Sequence, residues 1–287
     1  MRRASVVQEE TKQIDTVENL TGAFESIAST QVAKIKSRVE LSKEFFDLLW
    51  QRYTSLRIDP DLRITERGEF KQGAKNVFVL ITAEAGLSGD IDQRLVETMM
   101  QEYDRNTTDI IVLGSHGATE LRQRGIPYAR FFQVPESENY IDVSPVMEAI
   151  QPYAKIKVYY EEYVSLGVQG VKSIDLISSI QAMSEESAAD DNLITAEETI
   201  FEPSLEEIAD LMEGAMMRLA FSQAILESSL AQDASRFNAM AAAKERAWEL
   251  LNYYKLEYHR SKRSESDRRS REVVVGLKRK KHAGRNK

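Results

Sequence analysis

The first 59 residues contain no proline and carry a seven-residue repeat, and together these facts restrict the chain more than anything else in it. Val7, Ile14, Thr21, Ala28 and Ile35 recur at intervals of seven, Val17 and Phe24 supply the companion positions, and Leu20 and Ile27 widen the seam. Such a repeat keeps facing one partner only if the helix supercoils around it. From about Ser5 to Leu56 the helix would span roughly 75–80 Å at 1.5 Å per residue. That is too long to fold inside a compact domain of this size, so the helix is expected to project.

The other end of the chain has the same character. Pro203-Ser204, with Glu206 and Glu207 just after it, reads as a helix start with acid at the positive end of the dipole. Leu205, Ile208, Leu211, Ala215, Leu219 and Ile225 begin a series at three- and four-residue steps that continues through Ala234, Met240, Ala247, Leu251 and Tyr254. Small residues crowd its middle at Ala234, Ala239, Ala241, Ala242 and Ala243, which lets a second helix approach closely. The two terminal helices need each other to bury their seams and are expected to pair antiparallel.

Between them the period changes. Asn76–Thr82 is an apolar run of the kind found in a strand buried on both faces. It is followed by a Gly86/Gly89 turn and a helix near Asp92–Tyr103. Strands at Asp109–Leu113, Tyr128–Val134 and Lys155–Val164 alternate with helices at Ala118–Arg124 and Val143–Gln151. Alternation of this kind predicts a doubly wound, parallel α/β sheet. The expected divisions are 1–57 N-terminal helix, 58–183 α/β domain, 184–200 acidic loop, 201–276 C-terminal helix and 277–287 basic tail.

Composition narrows the function. The chain has no cysteine, which excludes disulfides, Cys-ligated zinc and thiol catalysis. No apolar stretch approaches the roughly 20 residues needed to cross a bilayer, and none follows the basic start in the manner of a secretory signal. The formal charge of −8 is unevenly spread. Twelve acidic residues and no Lys or Arg lie between Ser173 and Met217, whereas six of the ten residues from Lys278 to Lys287 are Lys or Arg.

Candidate chemistry is sparse. His116, His259 and His282 are far apart in sequence, and His116 sits in a Gly-Ser-His-Gly turn where a polar residue is ordinary. Neither Ser88 nor Ser115 has the Gly-x-Ser-x-Gly frame of a nucleophile elbow. Gly86-Leu87-Ser88-Gly89-Asp90 follows a strand and opens a helix, as phosphate loops do, but lacks their Gly-Lys-Ser/Thr ending. Asp90 would also repel a phosphate there, so a tight turn is the favoured reading. The basic end suits phosphate contacts, but no Phe, Tyr or Trp follows Tyr258 to stack on bases, and direct nucleic-acid binding is not expected. No catalytic, cofactor-binding or metal residues are assigned.

Several short patterns, in order along the chain, resemble the γ subunit of F-type (rotary) ATP synthases. Ser235–Ala243 is similar to that family's Arg-x-x-Ala-Met-x-x-Ala signature through Arg236, Ala239, Met240 and Ala243. Gly86-Leu87-Ser88-Gly89 resembles its Gly-Leu-Cys-Gly turn. Leu20-Thr21, Ala23-Phe24 and Ile27-Ala28 resemble its Ile-Thr-Lys-Ala-Met-x-x-Val-Ala run, and Phe201-Glu202-Pro203 its Tyr/Phe-Glu-Pro before the last helix. Gly114-Ser115 with Gly117 matches a further turn. The matches extend from about Thr11 to Gly276.

The resemblance implies a noncatalytic rotor shaft. Its paired helices would turn inside a hexamer of α and β subunits, and its sheet domain would meet the ε subunit and the c-ring. It implies rotor–stator contacts at Ile27, Ala28, Arg236, Met240, Lys262 and Arg263. It also implies contacts of the foot at Gly86, Leu87, Ser88, Gly89, Phe201, Glu202 and Pro203. It further implies membrane association only through the complex, on the cytoplasmic face of a bacterial inner membrane. The chain departs from the family at Lys244-Glu245-Arg246 and toward the tip, where Lys262-Arg263, Ser266-Asp267 and Arg269-Ser270 make a polar, basic end in place of an apolar one. A coiled-coil adaptor unrelated to rotation is the alternative.

Overall fold

A computed structural model describes residues 2–55, 75–135, 141–176 and 205–283. In chain order the elements are α1 (Ala4–Ser55), β1 (Asn76–Ile81), α2 (Ile91–Met100), β2 (Thr108–Leu113), α3 (Ser115–Gln123), β3 (Arg130–Phe132), α4 (Ser144–Ile150), β4 (Ile156–Ser165), β5 (Val168–Asp175) and α5 (Leu205–Ala283). Contacts group them into two units, one of Ala28–Phe237 and one of Met1–Ile27 with Asn238–Lys287.

The larger unit is built on a sheet of order β3-β2-β1-β4-β5. β1 pairs parallel with both β2 and β4, and β2 pairs parallel with β3. Side chains alternate across a strand, so the unbroken apolar run of β1 serves two cores. Val77, Val79 and Ile81 pack with Val146 and Ile150 of α4 and with Phe221 and Ile225 of α5. Phe78 and Leu80 pack on the opposite face with Leu95 and Met99 of α2 and with Ala118 and Leu121 of α3. Helices thus cover both faces, as the strand–helix alternation predicts.

The expectation of a wholly parallel sheet needs correction at one edge. β5 runs antiparallel to β4, with a register irregularity at Tyr163/Ser165. The strand escaped the sequence reading because Val168–Asp175 mixes Gln, Gly, Lys and Ser with three β-branched apolar residues and is only half buried. It reads as an edge, not as a core strand.

In this unit the two long helices pair as expected. Phe46, Trp50 and Tyr53 of α1 pack on Met216, and Val32 packs on Leu230 and Ala234. Rising numbers on one helix meet falling numbers on the other, which is the antiparallel arrangement.

The smaller unit shows the same direction. The backbone N–H of Ala4 donates to Glu265 Oε1 at 2.9 Å, and Lys244 Nζ meets Glu25 Oε2 at 2.9 Å. Its seam, however, is not the one the apolar residues suggest. Val7 is buried, and Ile14 and Thr21 are half buried, at the expected seven-residue spacing. Their companions are Thr11, Glu18 and Glu25, half buried four residues further on, whereas Val17, Leu20, Phe24 and Ile27 are exposed. The physical reason lies on the facing helix. Lys244 and Ser261 share its seam with Met240, Ala247 and Leu251, and Lys244 pairs with one of the glutamates. Polar layers occupy positions that hydrophobicity alone assigns elsewhere. Among the described residues no helix is long and apolar enough to cross a membrane.

Candidate functional site

The Gly86–Gly89 turn and the Arg236 motif, 150 residues apart in sequence, meet in the larger unit. The turn leaves the C-terminal end of β1 and enters α2. Leu87 and Gly89 both take positive φ, 70° and 71°. A Cβ on Gly89 would stand 3.3 Å from Ser235 Oγ, so glycine both relaxes the turn and lets α5 come close. From α5, Ser235 Oγ donates to the Ser88 carbonyl at 2.6 Å. Arg236 donates through Nε to the Gly86 carbonyl at 3.2 Å and through Nη2 to the Ala85 carbonyl at 3.1 Å. Its Nη1 pairs with Asp233. Burial raises the Asp233 carboxyl above its ordinary range, and the Arg236 charge works against that rise.

Asp92, in the first turn of α2, organises the other side of the turn. It is buried, with Oδ1 accepting the Ala83 N–H at 2.9 Å and Oδ2 accepting Ser88 Oγ at 2.9 Å. His116 Nδ1 lies 3.1 Å from the same Oδ2. Ser88, Asp92 and His116 are therefore together, but not as a catalytic relay. The histidine contacts the carboxylate and not the serine, and Ser88 is fully buried with its hydroxyl proton directed to Asp92. The imidazole does not reach the serine, so the histidine-activated serine of a hydrolase is not assembled here. The set clamps a turn.

Behind it lies Glu161 of β4, fully buried. Its Oε2 accepts Ser228 Oγ at 3.1 Å, and Gln232 Nε2 donates to that same Ser228 oxygen at 3.1 Å. Burial first, and then the negative charge of Asp92, push the Glu161 carboxyl well above the usual carboxylate range. The burial thus favours the neutral form of the Glu161 carboxyl.

The Gly114-Ser115-x-Gly117 turn is joined to the same strand end. Gly114 has φ 99°, and a Cβ there would fall 2.1 Å from the Thr82 carbonyl oxygen. Thr82 Oγ1 accepts the Gly117 N–H at 2.9 Å, and Ser115 Oγ donates to the Glu84 carbonyl at 2.7 Å.

The structure thus brings Gly86, Leu87, Ser88, Gly89 and Arg236 into one joint. Ala28 is buried in the larger unit, and Met240 is buried in the smaller. Ile27, Lys262 and Arg263 are exposed in the smaller unit. Phe201, Glu202, Pro203 and the acidic loop lie outside the described residues. Asp92, Glu161, Ser228 and Gln232 were not singled out in the sequence, and His116 was read as an ordinary turn residue. A signal was nevertheless present. Ser228, Gln232, Ser235 and Arg236 recur at steps of four, three and one, so they share a polar stripe on a helix whose other residues over that stretch, Asp233 apart, are apolar or small.

Arg236→Lys is expected to lower stability by about 1–2 kcal/mol, because an ammonium cannot bridge two carbonyls and a carboxylate from one plane. Urea unfolding of the chain measures the loss, and an unchanged midpoint would show that the clamp contributes nothing.

This architecture defines a class of proteins in which both terminal helices are built onto one mixed sheet and polar groups beyond the end of its central strand fasten a helix to it. A family profile described as ATP-synt, ATP synthase, matches residues 4–276. The chain belongs to that family, within its γ chains. It is 24% identical to the ATP synthase gamma chain of Clostridium novyi, over 92% of this chain and 94% of that one. The corresponding figure for Chlorobium limicola is 25%, with the same coverage. The fold is similar to that in the rotor of Euglena gracilis mitochondrial ATP synthase, with a TM-score of 0.67 at 14% identity, covering 91% of this chain and 98% of that chain. It also resembles a chain of the central stalk and c-ring structure of Tetrahymena thermophila mitochondrial ATP synthase, with a TM-score of 0.57 at 19% identity, covering 78% and 99%.

Proposed function

We propose that this chain is the central rotor shaft of an F-type ATP synthase, a noncatalytic subunit that couples ion flow through a c-ring to conformational change in an α/β hexamer. The observation that carries this reading is the joint at the end of β1. A shaft has to pass torque between its sheet domain and its helices, and here a helix is bonded to the sheet by Ser235, Arg236 and the Asp92-held turn. Of the polar side chains that the sequence offers as candidate catalysts, Ser88, Ser115 and His116 are engaged at this joint.

In this reading Ile27, Ala28, Arg236, Met240, Lys262 and Arg263 belong to the stretches that turn against the α and β subunits, and Ile27, Lys262 and Arg263 are exposed. The turn at Gly86–Gly89 and the stretch Phe201-Glu202-Pro203 serve the foot, toward ε and the c-ring. The chain associates with the cytoplasmic face of a bacterial inner membrane only through the complex. ATP chemistry belongs to the partner subunits.

Affinity purification from native cells tests the proposal. The tagged chain is expected to bring α and β subunits together with ATPase activity, and the isolated chain to show no ATP binding at equilibrium. Recovery of the chain without α and β would favour the adaptor reading, and stoichiometric nucleotide binding by the chain alone would overturn the noncatalytic one.

A further inference from the structure

The apolar packing of the larger unit falls into parts that do not close completely on each other. Tyr160, Leu176 and Ala224 belong to the core built on the sheet, while Phe46 of α1 belongs to the one it forms with Met216 of α5. The half-buried Ala220 packs against both. Ala220 and Ala224 stand one turn apart on α5, on one face of the helix, and methyl groups there leave the facing space unfilled. A cavity of about 220 Å³ opens at this place, lined from α1, β4, β5 and α5. All of it lies within Ala28–Phe237.

Phe46, Ile174, Leu176 and the two alanines give the cavity apolar walls, and Tyr160, Gln223 and Glu227 add polar atoms to them. Among the described residues none of these three polar side chains has a hydrogen-bonding partner. Burial raises the Tyr160 hydroxyl and the Glu227 carboxyl above their ordinary ranges. Two carboxylates line the cavity, Asp47 and Glu227, against the one ammonium of Lys43. Lys172 also acts on Glu227, but its Nζ is already bonded to Glu162 Oε1 at 3.1 Å. A half-buried carboxylate beside apolar walls, with no donor of its own, calls for a donor from outside.

The kind of donor follows from the acceptors. A primary ammonium has three N–H donors and no acceptor, and Glu227, the Tyr160 oxygen and the Gln223 amide oxygen can each accept. An anion would meet both carboxylates, and a neutral hydrocarbon would leave Glu227 desolvated and unanswered. The volume lies below the ~300 Å³ at which sites for drug-sized ligands begin. We propose that this cavity is a binding site for a small organic ammonium, its apolar body against Phe46 and the alanines and its charged head at Glu227. Such a ligand touches α1, the sheet and α5 together, so its binding stabilises their packing. The site needs no partner subunit and stands apart from the rotor reading.

The probe is 2-phenylethylamine, titrated into the full chain while the methyl resonances of Ile174, Leu176, Ala220 and Ala224 are followed by NMR. Saturable shifts are expected at these four residues, with a dissociation constant on the order of 1 mM for so small a ligand. 2-Phenylethanol keeps the ring without the charge and is expected to bind about tenfold more weakly or worse. 3-Phenylpropionate, with the charge reversed, is expected not to bind. Glu227→Gln keeps the shape of the side chain, and circular dichroism checks that the fold is retained; amine binding should fall about tenfold. Ala224→Leu fills the space from α5 and should abolish the shifts, and if that variant does not fold, Glu227→Gln alone decides. The absence of saturable shifts with the amine overturns the proposal. So does equal binding of the alcohol, preferential binding of the carboxylate, or amine binding that Glu227→Gln leaves unchanged.

Discussion

Gly114→Ala is expected to destabilise the chain by about 3–5 kcal/mol, combining a backbone conformation that L residues avoid with an unrelieved overlap. At φ 99° and ψ 136° the residue caps α3, and the added methyl would stand 2.1 Å from the Thr82 carbonyl oxygen. That oxygen is backbone at the end of the central strand and cannot rotate away as a side chain would. Its strand lies between β2 and β4, so any adjustment disturbs two ladders. Gly125→Ala is the control. It also has positive φ, 70°, but nothing lies within 4 Å of its Cβ, so only the conformational cost of about 1 kcal/mol remains. Urea denaturation of the two variants separates strain from overlap, and equal losses would mean that the crowding at Thr82 is relieved in solution.

Glu161→Gln is expected to stabilise the chain, by an amount that grows with pH. The carboxyl is raised in the folded chain by burial and by Asp92. A raised group contributes its stability fully below the unfolded value, near 4.5, and that contribution is lost as pH rises through the folded value. Glutamine keeps the shape and the acceptor for Ser228, has no charge to desolvate, and offers Asp92 a permanent donor. The variant should therefore match the native chain near pH 4 and exceed it by a margin that widens toward pH 8. Chemical denaturation across that range measures the difference. A constant offset, or one that narrows toward pH 8, would show that Glu161 does not titrate in this window.

The parts of the fold that could be read from the sequence share one property: they are local. The runs Asn76–Ile81 and Thr108–Leu113 are apolar enough to declare buried strands without any tertiary knowledge. The seven-residue spacing of Val7, Ile14, Thr21 and Ala28 likewise carries its own period. β5 depends on β4 for its identity, because half its residues are polar and only pairing makes them a strand. The seam of the smaller unit was misassigned for a related reason. Glu18 and Glu25 look like solvent-facing residues until Lys244 is brought opposite. The joint was half legible. The turn and the arginine motif could each be picked out by resemblance, but nothing along one chain segment says that Arg236 reaches the Ala85 and Gly86 carbonyls. Asp92 and Glu161 were invisible because a lone acidic residue in a strand or helix start reads as surface until the fold encloses it.

The mixed seam of the smaller unit has a mechanical consequence. Leucines interlocked along a whole interface resist any change of angle, because turning one helix against the other opens gaps in the packing. Where Glu18 and Glu25 lie near Lys244, and Thr11 near Tyr258, hydroxyls and charges can exchange one bonding partner for another or for water, each swap involving about 1 kcal/mol or less. Such a pair is expected to twist under load more readily than an all-leucine one, at little cost in broken contacts.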